Sequence, residues 1–399
     1  MKKHYVFFTR SALPQPDLAS SVWAAHSANA AANLGYSAIL VYLQRGWQAF
    51  NPLELIHPFR LRKPAQKLTR FYNLQPNLKV APLAMPWPID AIGGKWTHSS
   101  TITCKFYFPI YIKPLTQLVH TRDWNFVKAA IRNGVAAIYE HHHYEDKIFE
   151  PEIVHSPLFQ VAVTLSDCVQ TSMIQCGMPP EKIIKVHSGM NHLFLNRQLE
   201  AAEDWRKKLL VEGRQFLVVY GGGLYPFKGV DLLLDVAQAL PNIQFVLAGG
   251  QDFQVKAYQH LAREKQVKNV KFLGYLEQNK LTSLLQAADV LAHPHCSGEA
   301  ATFTSPLKFF DYLASGTPIA VTEIPPLMEF KAANVVAEWC EPDRPLIFAR
   351  CIEKVLEYYP RRREGYLQNI EMARQFSCEN RIAKILSHVE GSIRPPIGS

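Results

Sequence analysis

The chain has 399 residues, 48% of them hydrophobic and 19% charged, with a formal net charge of +9. That length exceeds what one core usually serves and predicts two domains of about 200 residues each, while the composition excludes a disordered chain. The basic excess favours an anionic partner such as a nucleotide, phosphosugar, nucleic acid or acidic membrane surface, unless it serves solubility alone.

The seven cysteines are scattered and none forms a C-x-x-C pair. Neither a disulfide framework nor a zinc site is indicated, and a reducing cytoplasm is expected. The apolar run Tyr5 to Phe8 behind Met1-Lys2-Lys3 is too short for a signal-peptide core. No run reaches the roughly 18 apolar residues that span a bilayer. A cytoplasmic protein is expected, peripheral on the membrane face at most.

In chain order, Tyr5 to Phe8 reads as a buried strand, Ser20 to Leu34 as a small-residue helix stopped by Gly35, and Ala38 to Leu43 as a second strand. This βαβ unit predicts a parallel sheet. The loop between its first two elements lacks G-x-G-x-x-G, which argues against dinucleotide binding there. Residues 51–113 are the least regular part. Arg60, Arg62, Lys63, Lys67 and Arg70 lie among Phe59, Phe71 and Tyr72, followed by Trp87, Trp96, Phe106, Tyr107, Phe108 and Tyr111. Such interleaving suits an anionic membrane surface or a phosphorylated acceptor; a solvated helix face followed by core aromatics fits the same letters. Strands follow at Gln117 to His120, Ala136 to Tyr139, Gln160 to Thr164 and Lys182 to Val186, with helices at Asn125 to Asn133 and Ser166 to Cys176. Ligands of open α/β sheets sit beyond the carboxyl ends of strands, which marks Glu140-His141-His142-His143-Tyr144-Glu145 as a site position. Adjacent histidines point different ways and make no natural tetrahedral metal site. One histidine donating to a sugar hydroxyl or oxyanion fits better, beside the plainer reading of a polar turn.

The pattern restarts after a hinge around 192–214. The strand Phe216 to Tyr220 runs into Gly221-Gly222-Gly223, and Lys228 follows five residues later. A glycine turn after a strand frees backbone N–H groups and admits an anion closely, and the lysine supplies a cation there. Further strands are expected at Gln244 to Ala248, Val270 to Leu273, Val290 to Ala292 and Ile319 to Thr322, with a loop from His293 to Ser305. Five strands, each followed by a helix, predict a doubly wound domain. Ser305-Pro306-Leu307-Lys308 opens a helix carrying Asp311, a second loop-to-helix entry whose amides can hold phosphate. Together the two devices suggest a bound diphosphate. Pro345 to Val389 reads as helices broken at Arg361-Arg362-Arg363.

Gly223-Leu224-Tyr225-Pro226-Phe227-Lys228-Gly229-Val230-Asp231, Ala288-Asp289-Val290 and the run from Ser305 to Pro318 resemble retaining GT-B glycosyltransferases of family 4, the glycosyl transferases group 1. Ser188-Gly189-Met190-Asn191 with Phe194 is similar to the end of that family's first domain, and Phe376-Ser377-Cys378-Glu379-Asn380-Arg381 to the start of its last helix. The resemblance covers about 135–390 and leaves 1–130 unmatched. It implies an α/β fold of two Rossmann-like, doubly wound domains facing across a cleft. Residues 1–195 would bind the acceptor and 196–375 the nucleotide sugar, and the helix in 376–399 would cross back to the first domain.

It also implies a hexosyltransferase that needs no metal or other cofactor and moves a sugar from a UDP- or GDP-sugar to a hydroxyl acceptor in a lipid, saccharide or phosphosugar. Lys228, with the amides of Gly222 and Gly223 and of Thr304, Ser305, Pro306 and Leu307, would hold the diphosphate and stabilise the leaving group. Asp311 would bind the ribose hydroxyls at the second acidic position of E-x7-E, one methylene shorter than the usual glutamate. The first position falls on Phe303, and Glu299, four residues earlier in the loop, would take its place as a catalytic residue beside Lys228 and His142. Gly274, Tyr275 and Leu276 would meet the base, and His142 the donor sugar. Retention would proceed by front-face attack with the donor phosphate as base. The alternative is a catalytically silent nucleotide-sugar-binding protein of the same fold. A nucleotide-dependent oxidoreductase is disfavoured because Gly221-Gly222-Gly223 leads to Lys228 rather than to G-x-G-x-x-G, and no nucleic-acid-binding module is present.

Overall fold

The computed structural model describes residues 3–15, 19–47, 51–92, 94, 96–211, 213–303 and 307–397. Two parallel sheets organise them. The first contains β1 (His4–Thr9), β2 (Ala38–Gln44), β3 (Lys79–Ala84), β4 (Thr116–Thr121), β5 (Ala136–Glu140), β6 (Phe159–Thr164) and β7 (Ile183–Lys185), in the order β3-β2-β1-β4-β5-β6-β7. The second contains β8 (Phe216–Gly221), β9 (Ile243–Ala248), β10 (Val270–Gly274), β11 (Val290–His293), β12 (Ile319–Thr322) and β13 (Ala337–Cys340), in the order β10-β9-β8-β11-β12-β13. The inner strands are near-continuous apolar runs because helices cover both faces: every residue of β1, β6 and β9 is buried. In each sheet the order reverses beside the first strand, between β1 and β4 and between β8 and β11. Such reversals open crevices where ligands bind in this architecture.

Two strands escaped the sequence reading. β3, with sequence KVAPLA, lies in the segment read as irregular, and its Pro82 cannot donate to a ladder. It is tolerated because β3 is an edge strand. β13 is a four-residue strand at the other sheet's edge, so that sheet has six strands rather than five. The expected loop over 293–305 also contains a short helix, Glu299–Phe303. Within 51–113, the stretch Ile102–Ile112 is helical with wide, π-type turns and buries Tyr107 and Phe108.

The chain forms two compact units, one running to Val186 and resuming at Cys378, the other His187–Ser377. The division precedes the break after 195 drawn from the sequence. Met190 N donates to Phe376 O at 2.8 Å, and Phe194 enters the second unit's core, which holds 187–195 there. The helix Cys378–Ser387 packs on the small-residue helix Ala19–Asn33. Ala24, Ala28 and Ala31 let it approach, and Ile382, Ile385 and Leu386 complete the shared core.

One buried charge network ties that returning helix to the sheet. Arg381 Nη2 donates to Glu140 Oε1 at 2.6 Å, and His142 Nε2 reaches the same oxygen at 2.5 Å. His120 Nε2 lies 3.0 Å from Glu140 Oε2, and Tyr5 OH lies 2.9 Å from His120 Nδ1. Burial pushes the Glu140 carboxyl up, but Arg381, His142 and His120 together hold it well below its ordinary value. Removing one partner strands a buried charge, which costs about 3–5 kcal/mol. Arg381→Met should therefore lower the urea-unfolding free energy of the first unit by about that amount. Loss of Arg374, whose partner Glu371 shares its exposed surface, should cost under about 1 kcal/mol. Equal effects would show that the Glu140 network does not anchor the helix.

Candidate functional site

The second sheet's reversal gathers the glycine turn and the two lysine-bearing segments. Gly222 has φ 148°, a region closed to most L-residues. Its N–H donates to Ala248 O at 2.8 Å. A Cβ there would meet Lys308 Cε at 2.8 Å, so the glycine makes room for a lysine stem. Gly229, at φ 72°, ends the turn Pro226–Lys228 and begins the helix Val230–Ala239. A Cβ on Gly229 would lie 1.7 Å from Pro294 O. That close approach pins the Lys228 turn to the loop after β11, where Cys296 N donates to Phe227 O at 3.0 Å.

Four nitrogen-bearing side chains result. Lys228 Nζ lies 5.2 Å from the centroid of the Tyr225 ring and 5.8 Å from that of Phe227. Lys308 Nζ lies 3.9 Å over Tyr220, whose hydroxyl donates to Gly223 O at 2.8 Å. His293 and His295 are buried with ring centroids 5.5 Å apart, and neither Nδ1 has a hydrogen-bond partner among the described residues. Burial lowers the pKa of Lys228. Burial, then the charge of Lys228, holds Lys308 well below the ordinary lysine range. Burial, then Lys308, also lowers both histidines, His295 to about 3. The mutual repulsion is that of a cluster built for an anion.

Asp311 lies one helical turn after Lys308 in Leu307–Ser315. Burial pushes its carboxyl well above the usual range, against the pull of Lys308. Its Oδ1 is buried with no partner among the described residues, a deficit of about 1–3 kcal/mol that a ligand hydroxyl would relieve. Next to it, Tyr312 OH accepts from Gly221 N at 2.8 Å and so fastens the helix to the glycine turn.

The structure thus brings together Gly222, Gly223, Lys228 and Asp311. Gly274 joins them through the backbone, since its carbonyl accepts from Gly249 N at 2.6 Å. Tyr275 is part-exposed beyond it, and Leu276 packs on the core. Leu307 begins the Asp311 helix; Thr304, Ser305 and Pro306 lie outside the described residues. Glu299 is exposed at the start of its short helix. His142 belongs to the first unit, where its ring lies against Glu140 and burial lowers its pKa to about 3. Lys308, His293 and His295 were not singled out from the sequence. The signal was there: His293 ends a strand, and Lys308 is the last residue of the quoted Ser-Pro-Leu-Lys motif. Among the described residues, no group of three or more His, Cys, Asp or Glu is placed to hold a metal ion, and no helix is long and apolar enough to cross a membrane.

This geometry falls within residues 201–370, which match the family described as Glycosyl transferases group 1. The chain is thereby related to that family. It is 26% identical to an uncharacterized glycosyltransferase of Methanocaldococcus jannaschii over 49% of this chain and 50% of that protein. It is 25% identical to the D-inositol 3-phosphate glycosyltransferase of Corynebacterium glutamicum over 57% and 56%. The chain spans about half the length of these curated relatives. A crystal structure of Anabaena HepE in complex with UDP and glucose superposes with a TM-score of 0.67 at 19% identity, over 96% of this chain and 99% of that one. At that identity the likeness shows the fold, GT-B.

A diphosphate beside Lys308 would favour its charged form, so binding should take up a proton. The bound pKa then exceeds the free one, and affinity falls as pH rises between them. Inorganic diphosphate, titrated calorimetrically from about pH 7.5 toward the ordinary lysine range, should bind more weakly with each step. Lys308→Met should flatten that slope; an unchanged slope would remove Lys308 from the anion site.

Proposed function

We propose that the chain is a retaining glycosyltransferase of family 4 that moves a sugar from a nucleotide-diphosphate sugar, a UDP-sugar in the first instance, to a hydroxyl acceptor. The observation that carries this reading is the set of Gly222, Lys228 and Lys308 at the reversal of the second sheet, inside the family-matched stretch. The UDP and glucose bound by Anabaena HepE support the choice of donor.

Bond breaking places two negative charges on the departing nucleotide diphosphate. Preorganised donors aimed at that charge supply much of the rate in such chemistry. Lys228 and Lys308 meet the phosphates with the Gly223 amide, the Gly221 and Gly222 N–H groups being spent on Tyr312 OH and Ala248 O, and need no metal ion to do so. Asp311 takes the ribose hydroxyls with its unpartnered oxygen. With front-face attack, the donor's own phosphate accepts the acceptor proton, and the enzyme orients and stabilises rather than donating a nucleophile. Glu299, reaching from its short helix, and His142 are assigned to the donor sugar.

A peripheral membrane position is part of the same reading. Trp96, Phe106 and Ile110 are exposed in the first unit, and Lys105 Nζ lies 4.0 Å from the centroid of the Trp96 ring. Aromatic and apolar side chains flanked by lysines suit an anionic lipid surface. Phe106→Ser with Ile110→Ser should abolish cosedimentation with phosphatidylglycerol vesicles; retained binding would exclude this face.

UDP should raise the melting temperature with EDTA present, as a ligand of the folded state does. Lys228→Ala should lower turnover about 100-fold or more, and Asp311→Ala should raise the donor KM with a smaller effect on kcat. Near wild-type turnover without Lys228 would sink the donor-site assignment.

A further inference from the structure

We propose that the cavity at the strand reversal of the first unit is the acceptor site, and that its acceptor carries an oxyanion, a phosphate or carboxylate, held by Arg122. The inference rests on the transferase reading above and names the chemical class of its second substrate.

The cavity measures about 690 Å³, within the range of small-molecule sites. Phe8 and Thr9 of β1, Arg122 just after β4, and Tyr139 of β5 with His141 just after it all line it. It therefore opens at the carboxyl ends of the strands where β1 meets β4, the position at which this architecture binds ligands.

Most of the charged groups around it are paired, the exposed Lys147 and Arg122 excepted. Arg10 Nε pairs with Asp123 Oδ2 at 2.8 Å, and the other Asp123 oxygen caps the helix Trp124–Arg132 by accepting from Phe126 N at 3.0 Å. Glu150 is shared by Lys128 Nζ and Trp124 Nε1, both at 2.7 Å. Glu145 accepts from the backbone N–H groups of Asp146 and Lys147. Glu140, at the end of the neighbouring strand, is consumed by Arg381, His142 and His120. Arg122 lines the cavity with no hydrogen bond or ion pair among the described residues. Its nearest support is the Trp23 ring, 6.0 Å from Cζ to centroid.

A half-buried guanidinium with no hydrogen-bonded counter-ion is costly, and burial lowers the Arg122 pKa against the opposing charge of Glu140. A structural arginine in this neighbourhood would take one of the nearby carboxylates, yet each of those has other partners. What remains is a planar fork of N–H donors beside a cavity, the geometry that recognises a carboxylate or phosphate in bidentate fashion. The cavity's other polar groups, fixed by their own pairs, are left to read hydroxyls.

The test is isothermal titration of the full chain with glucose 6-phosphate, glucuronate and neutral glucose, alongside the UDP-induced melting shift. At least one anionic sugar should bind saturably, with glucose at least about tenfold weaker. Arg122→Gln should lose at least about tenfold of the anionic affinity, with Arg122→Lys intermediate, while the UDP shift stays intact and shows that the variant folds. Lys228→Ala should do the reverse. The proposal is overturned if neither anion binds, if glucose binds as well, or if Arg122→Gln binds like the unaltered chain. It is equally overturned if Lys228→Ala is the variant that abolishes anion binding, since the anion would then occupy the donor site. The phosphate and carboxylate arms distinguish the two sources of the oxyanion. No UDP shift with the Arg122 arm intact would sink the donor reading and leave the oxyanion site standing.

Discussion

Buried positive charge has to be compensated, and the manner of compensation separates scaffold from site in this molecule. The Glu140 network is closed: one carboxylate meets Arg381, His142 and His120, and Tyr5 completes the chain of hydrogen bonds. Such a knot fixes where the C-terminal helix returns. At the two strand reversals the accounts stay open. Lys308 feels one acid, Asp311, and the like charge of Lys228. Arg122 makes no hydrogen bond or ion pair with an acid among the described residues, Glu140 acting on it only through its charge. Both open clusters lie where parallel strands diverge, the one place in each sheet where the backbone yields room for a ligand.

The glycines decide how close that ligand can come. Gly222 matters less as a flexible joint than as an absent side chain, because the volume its Cβ would fill holds the Lys308 stem. Gly229 does the same for Pro294 and brings the loop after β11, with the buried His295, against the Lys228 turn. Local backbone chemistry thereby sets the electrostatics: two substitutions with no charge of their own would disperse the cationic cluster.

Much of this was legible in the sequence where cause and effect are local. Strand, glycine turn and Lys228 are contiguous, and the continuous apolar runs of β1, β8 and β9 announce strands buried on both faces. The edge strands were not legible. β3 contains a proline and β13 has four residues, and both depend on a neighbouring strand for their definition. Arg122 was invisible for a different reason. Its lack of a partner follows from what Asp123, Glu140 and Glu150 do with Arg10, Arg381 and Lys128, and those pairings span up to 241 positions. A sequence displays charges but not how they are paired off.

The two acid–base partners on the Asp311 helix show how such a cluster is tolerated at all. Burial biases Asp311 toward its protonated form and Lys308 toward its neutral form, and His293 and His295 are held neutral as well. Each shift is toward the uncharged form, the direction that limits the desolvation penalty of the cluster. A diphosphate would reverse the bias, because an adjacent dianion favours the ammonium over the amine. Charge would then appear in the site together with the ligand that needs it. That arrangement permits close-packed cations without a compensating carboxylate for each, and so leaves the cavity-facing donors unspent for the leaving group.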